Sequence, residues 1–127
     1  MCSSDLAHLL EVRHCDFFHV SSGGLSTAQE IPLGAGYQVE LCAAVTQSSE
    51  MATIAVGQID DAKQAETIVR SGQADMVALA RGVLFDPHWT WRVAQTLGAE
   101  AHYPRQYERA LYPFKSVARA GEAGVGG

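Results

Sequence analysis

The chain has 127 residues, 47% of them hydrophobic and 18% charged, with nine Lys and Arg against 14 Asp and Glu for a net charge of −5. That length suits one ordinary domain, and the apolar fraction excludes wholesale disorder. No basic patch points to nucleic acid, and no apolar run approaches the roughly 20 residues of a membrane helix.

The first predicted element is a helix, from the apolar stripe Leu6, Ala7, Leu9 and Leu10, with Ser4 or Asp5 as its N-cap. Cys15-Asp16-Phe17-Phe18-His19-Val20 reads as a short strand closed by the loop Ser21-Ser22-Gly23-Gly24. Residues 25–36 are irregular, broken by Pro32, Gly34 and Gly36. Tyr37 to Gln47 is helical in pattern, with Val39, Cys42, Ala43 and Thr46 on one face. Ala52-Thr53-Ile54-Ala55-Val56 is almost continuously apolar, as expected of a strand buried on both faces. It ends at Gly57-Gln58-Ile59, and Asp60 or Asp61 caps the next helix, whose apolar face is Ala65, Ile68 and Val69. Gly72 stands where a C-terminal cap belongs. Asp75 to Ala80 is a third strand of the same buried kind. Arg81-Gly82 follows, and Val83, Leu84 and Phe85 open a short helical turn. Asp86-Pro87 then starts a helix carrying Trp89, Val93 and Leu97 on one face and stopping at Gly98. Trp89 and Trp91 read as packing residues. A tail from Tyr103 to Arg109 precedes a Gly/Ala-rich end, expected to be disordered over 113–127.

The order α-β-α-β-α-β-α calls for a parallel sheet with right-handed crossovers. Two architectures fit: a small doubly wound sheet, or a portion of a (β/α)8 barrel, whose complete form takes about 250 residues. The opening Met1-Cys2-Ser3-Ser4-Asp5 lacks the basic and apolar regions of a secretory signal, so a cytoplasmic setting is expected. Cys2, Cys15 and Cys42 are odd in number and widely spaced, and read as free thiols. Neither they nor His8, His14, His19, His88 and His102 cluster at metal-ligand spacing.

In both architectures ligands sit beyond the C-terminal ends of the strands. That selects Ser21-Ser22-Gly23-Gly24, Gly57-Gln58-Ile59-Asp60 and Ala80-Arg81-Gly82. A Gly-rich turn that opens a helix offers backbone N–H groups to phosphate, and an Arg adds charge and donors. Ordinary turn chemistry also explains one Gly per loop.

The combination of Val20-Ser21-Ser22-Gly23-Gly24, Ala55-Val56-Gly57-Gln58-Ile59, Ala74 to Arg81 and Asp86-Pro87-His88-Trp89 closely resembles the C-terminal part of the old yellow enzyme family. The tail Pro104-Arg105-Gln106-Tyr107-Glu108-Arg109 is similar to the end of its bacterial, thermophilic-like subgroup. The resemblance implies that residues 1–112 are about strands six to eight of a (β/α)8 barrel. It implies FMN as cofactor, NAD(P)H as reductant and an activated alkene as substrate. Gly57, Ala80 and Arg81 would hold the FMN phosphate. Ser22, Gly23 and Gly24 would line the active-site rim. Tyr107 and Arg109 would form an arm reaching a neighbouring subunit of a homo-oligomer. Ala80 stands where the family usually has Gly, and His19 where the subgroup more often has Asp. The family's substrate-anchoring His pair, proton-donating Tyr and strand-five Arg have no counterpart here, so no catalytic residue is expected in this chain. Whole-enzyme activity therefore requires the missing barrel strands. The alternative is a truncated, non-catalytic fragment that docks onto a partner chain or binds flavin weakly.

Overall fold

The computed structural model describes residues 3–111. Contacts divide the chain into two compact units, residues 1–89 and residues 90–127, and each is described by itself. The elements are α1 (Ser3–Glu11), β1 (Phe17–Val20), α2 (Val39–Ser48), β2 (Ala52–Val56), α3 (Ala62–Arg70), β3 (Met76–Ala78), α4 (Arg81–Phe85), α5 (Trp89–Thr96) and a 3-10 helix, Arg105–Leu111. The end expected to be disordered, 113–127, lies outside the described residues.

The three strands form one parallel sheet in the order β1-β2-β3. Phe17 to Val20 pair with Ala52 to Ala55, and Ile54 to Val56 with Met76 to Ala78. Each strand lies beside its neighbour in sequence, so the chain crosses the sheet in one direction. A doubly wound sheet reverses that direction at a switch point. The observed progression excludes a doubly wound three-strand sheet and is the one a barrel segment would have.

Side chains alternate between faces along a strand. Val20, Thr53 and Ala55 are buried on one face. Cover comes from Val39, Cys42 and Val45 of α2 and from Ala62, Ala65 and Ile68 of α3. The other face carries Phe17, His19, Ala52, Ile54, Val56, Met76 and Ala78, and none of these is buried. Phe17 is 56% exposed and Met76 42%. The sheet is thus covered on one face only. Both strands are apolar on both faces, but right-handed crossovers put both connecting helices on one of them.

Burial of Thr53 is made possible by hydrogen bonds. Its hydroxyl lies 2.7 Å from that of Thr46, and its N–H donates to Asp75 Oδ2 at 2.7 Å. The Thr46 hydroxyl reaches the carbonyls of Cys42 and Gln73. Packed against this network, the Cys42 thiol is fully buried, and desolvation pushes its pKa up despite the Thr53 and Thr46 hydroxyls, which pull it down.

Three helices end alike. After α3, Gly72 has φ +71, its N–H donates to the Val69 carbonyl, and Gln73 N–H donates to Ile68. That pair of bonds is a Schellman cap. Gly98 repeats it after α5, with bonds to Gln95 and Ala94. After α1 the left-handed position is occupied by His14, at φ +62. Asp61, rather than Asp60, caps α3, accepting from Gln64 N–H at 2.9 Å. Helix α1 is already formed at Ser3, so Ser4 and Asp5 lie in its first turn and not at its cap. Helix α5 begins at Trp89, later than expected, although Asp86 accepts from His88 N–H at 3.3 Å as a capping residue does. In the second unit, Trp91 packs on Tyr103 and Tyr107, with ring centroids 5.2 and 5.1 Å away. The segment read as a tail is therefore partly helical.

Candidate phosphate-binding loops at the strand ends

The three loops singled out in the sequence all follow C-terminal strand ends of the sheet, after β1, β2 and β3. Parallel pairing places those ends side by side.

The loop after β2 is the most constrained. Gly57 has φ +115 and Gln58 has φ +51. A Cβ on Gly57 would lie 2.7 Å from Tyr37 Cε1 and 2.8 Å from Gln38 Nε2. Glycine is thus required here both by backbone conformation and by close packing. Three successive carbonyls of this loop face the segment that opens α2. Gln38 Nε2 donates to Val56 O at 3.0 Å. Gly36 N–H donates to Gly57 O at 3.0 Å and to Gln58 O at 3.2 Å. Every described peptide bond is trans. In a planar trans peptide the N–H points opposite to the C=O. The N–H groups of Gly57, Gln58 and Ile59 therefore point away from Gly36–Gln38. Successive backbone donors on one side of a turn are the physical basis of an anion cradle.

The loop after β1 is tied to the same place. The Gln38 side chain is 2% exposed, and its Oε1 accepts from both the backbone N–H and the hydroxyl of Ser22. Gln29 folds over the next two residues, accepting from Gly24 N–H at 3.0 Å and donating to Ser22 O at 3.3 Å. A Cβ on Gly23 would lie 2.8 Å from Gln29 Nε2 and from Ile31 Cδ1. Local packing thus favours glycine at position 23.

The loop after β3 meets the loop after β2 at Asp60. Trp89 Nε1 donates to Asp60 O at 2.8 Å, and a Cβ on Gly82 would lie 3.2 Å from Asp60 Oδ1. Buried Trp89 is thus a packing residue with its N–H satisfied. Ala80 flanks α4 with φ −115 and ψ −75, a conformation open to a residue with a Cβ. The departure from Gly at this position therefore costs no backbone strain. Arg81 is exposed at the start of α4. A cationic guanidinium and amides turned away from Gly36–Gln38 at adjoining strand ends suit a phosphate, and the Asp60 carboxylate stands on the same loop.

Gln38 joins Ser22 to Val56, next to Gly57, and Gly82 packs beside Asp60 of the loop after β2. Tyr107 and Arg109 belong to the other unit, where Tyr107 lies edge-on to Trp91 and Arg109 is exposed on the 3-10 helix. Sequence reasoning missed Gln38 and Gln29. The available signal was an amide beside Gly36-Tyr37, where an apolar residue would extend the helical face.

A singly wound parallel sheet with Gly- and Arg-bearing loops at its C-terminal end defines a βα-repeat protein, a class in which ligands bind beyond the strands. Comparison with known proteins makes this specific. The chain belongs to the NADH:flavin oxidoreductase / NADH oxidase family, whose model matches residues 3–100. It is 42% identical over 94 residues to an NADPH dehydrogenase of Geobacillus sp. (strain WCH70), covering 74% of this chain and 27% of that protein. It is 38% identical over 105 residues to one from Halalkalibacterium halodurans, covering 83% and 31%. To one from Bacillus subtilis (strain 168) it is 39% identical over 94 residues, covering 74% and 28%. The chain thus spans under a third of the length of these relatives. The old yellow enzyme resemblance read from the sequence is the same family. No helix among the described residues is long and apolar enough to cross a membrane.

Proposed function

We propose that this chain is the phosphate-holding C-terminal portion, about strands six to eight of the barrel, of an FMN-dependent NAD(P)H oxidoreductase that reduces activated C=C bonds. The observation that carries the reading is the loop after β2, where three carbonyls are drawn to Gly36 and Gln38 and three N–H groups face the other way. Gly57, Gln58 and Ile59 would donate to the phosphate from β2, and Ala80 and Arg81 from β3. Ser22, Gly23 and Gly24 would stand at the rim of the active site. The chemistry FMN supplies when bound is hydride transfer, from NAD(P)H and on to the alkene. This chain's part is to anchor the phosphate so that the ring is held in register for that transfer. The general acid and the ring contacts would come from the first five strands. Tyr107 and Arg109 are proposed as an arm to a neighbouring subunit in a homo-oligomer. The free thiols Cys15 and Cys42 fit a reducing, cytoplasmic setting.

The test uses a completed barrel, in which this chain replaces the matching C-terminal part of the Bacillus subtilis NADPH dehydrogenase. Arg81→Ala is expected to weaken FMN binding by about 1–3 kcal/mol, the loss of a charge-assisted bond. Fluorescence quenching of FMN measures it. Unchanged affinity would remove Arg81 from the site.

A further inference from the structure

We infer that Gln38 is a positioning residue for the phosphate site, an internal clamp that aims the Gly57 donors. This rests on the phosphate reading of the loops. Gln38 is not placed to touch a ligand itself. It is 2% exposed and spends its polar atoms inside the protein. Its Oε1 holds Ser22 through two donors, the backbone N–H and the hydroxyl, the latter at 2.9 Å. Its Nε2 holds the Val56 carbonyl at 3.0 Å. One side chain thus bridges the loop after β1 and the last residue of β2, sixteen and eighteen positions away in sequence.

The consequence follows from the peptide plane. Val56 O and Gly57 N–H belong to one rigid unit and point in opposite directions. Fixing the carbonyl on Gln38 fixes the direction of the Gly57 N–H. Gly36 does the same for the next two peptides, but through a backbone N–H that no side-chain substitution removes. Gln38 is the side-chain member of the clamp, and so the one mutagenesis reaches. An amide suits the task because it accepts and donates at opposite corners of one plane. A carboxylate would accept from Ser22 but repel the Val56 carbonyl, and an aliphatic side chain would do neither.

A ligand pair separates positioning from plain stability. FMN and riboflavin differ by the phosphate alone. In the completed barrel, Gln38→Leu is expected to lower FMN affinity tenfold or more while leaving riboflavin affinity unchanged. A merely structural role would weaken both equally, as Val45→Ala on the buried face of α2 should. Gln38→Glu keeps the Ser22 contacts and serves as the second variant. Its FMN affinity, relative to the parent protein at each pH, should recover as pH falls and the protonated carboxyl can donate to Val56 O. Recovery of the FMN preference in acid supports the clamp. An FMN-to-riboflavin ratio unchanged in both variants overturns it. A parent protein with no preference for FMN over riboflavin overturns the phosphate reading instead, and the clamp with it.

Discussion

Replacing Gly57 tests the geometry at its tightest point. With φ +115, any residue bearing a Cβ is strained, at about 1–3 kcal/mol. The new Cβ would also sit 2.7 Å from the Tyr37 ring and 2.8 Å from the Gln38 amide, so both must shift. Forcing extra atoms into a packed site costs about 1–3 kcal/mol more. Gly57→Ala should therefore destabilise by about 2–6 kcal/mol, a large part of the roughly 5–15 kcal/mol a domain has. Gly72→Ala is the internal control. Its φ is +71, but a Cβ there meets nothing within 4 Å, so only the left-handed strain of about 1–2 kcal/mol applies. Urea unfolding of the completed barrel gives both values. Gly57→Val should also empty the flavin site while far-ultraviolet circular dichroism stays helical. If Gly57→Ala costs no more than Gly72→Ala, the packing of Tyr37 and Gln38 on Gly57 is refuted. If flavin occupancy survives Gly57→Val, Gly57 is a turn residue only.

His14→Gly should stabilise the protein by about 1 kcal/mol, because His14 holds a left-handed cap that glycine fills in the other two Schellman caps; a thermal melt that moves down would contradict it. Burial raises the Cys42 pKa above its ordinary 9.0, so the protonated thiol's contribution to stability is fully present below that pH and is lost as pH rises from there through the raised folded value. The stability gap between the parent and Cys42→Ala should therefore narrow above pH 9.0, and a gap independent of pH would refute the assignment. The 127-residue chain by itself should self-associate through the uncovered face bearing Phe17, Ile54, Val56 and Met76 and through its two open sheet edges; light scattering that finds a 13.6 kDa monomer with a cooperative melt would sink this.

What could be read from the sequence was whatever has a local signature. Ala52–Val56 announces a strand by its apolar run, Gly72 and Gly98 announce helix ends, and Asp61 sits at a cap position. The order of elements restricted the architecture to two, and only strand pairing chose between them. An apolar strand states what it would bury and not whether a second layer is present. Met76 and Val56 are as apolar as a barrel interior demands, yet neither is buried. At the candidate site, Gly57 and Arg81 were visible as residue types after strands. Gln38 was not, since its partners Ser22 and Val56 are distant in sequence and an amide leaves no periodic trace. Gly23 was visible as a turn glycine, but the packing of Gln29 and Ile31 on it left no trace in the sequence.

A crystal structure of the completed barrel grown with FMN would show whether these loops hold the FMN phosphate. The phosphate is predicted within hydrogen-bonding distance of the backbone N–H groups following β2 and of the loop at Ala80–Arg81. A flavin whose phosphate is bound elsewhere, with the N–H groups of Gly57, Gln58 and Ile59 facing only water, would contradict the account.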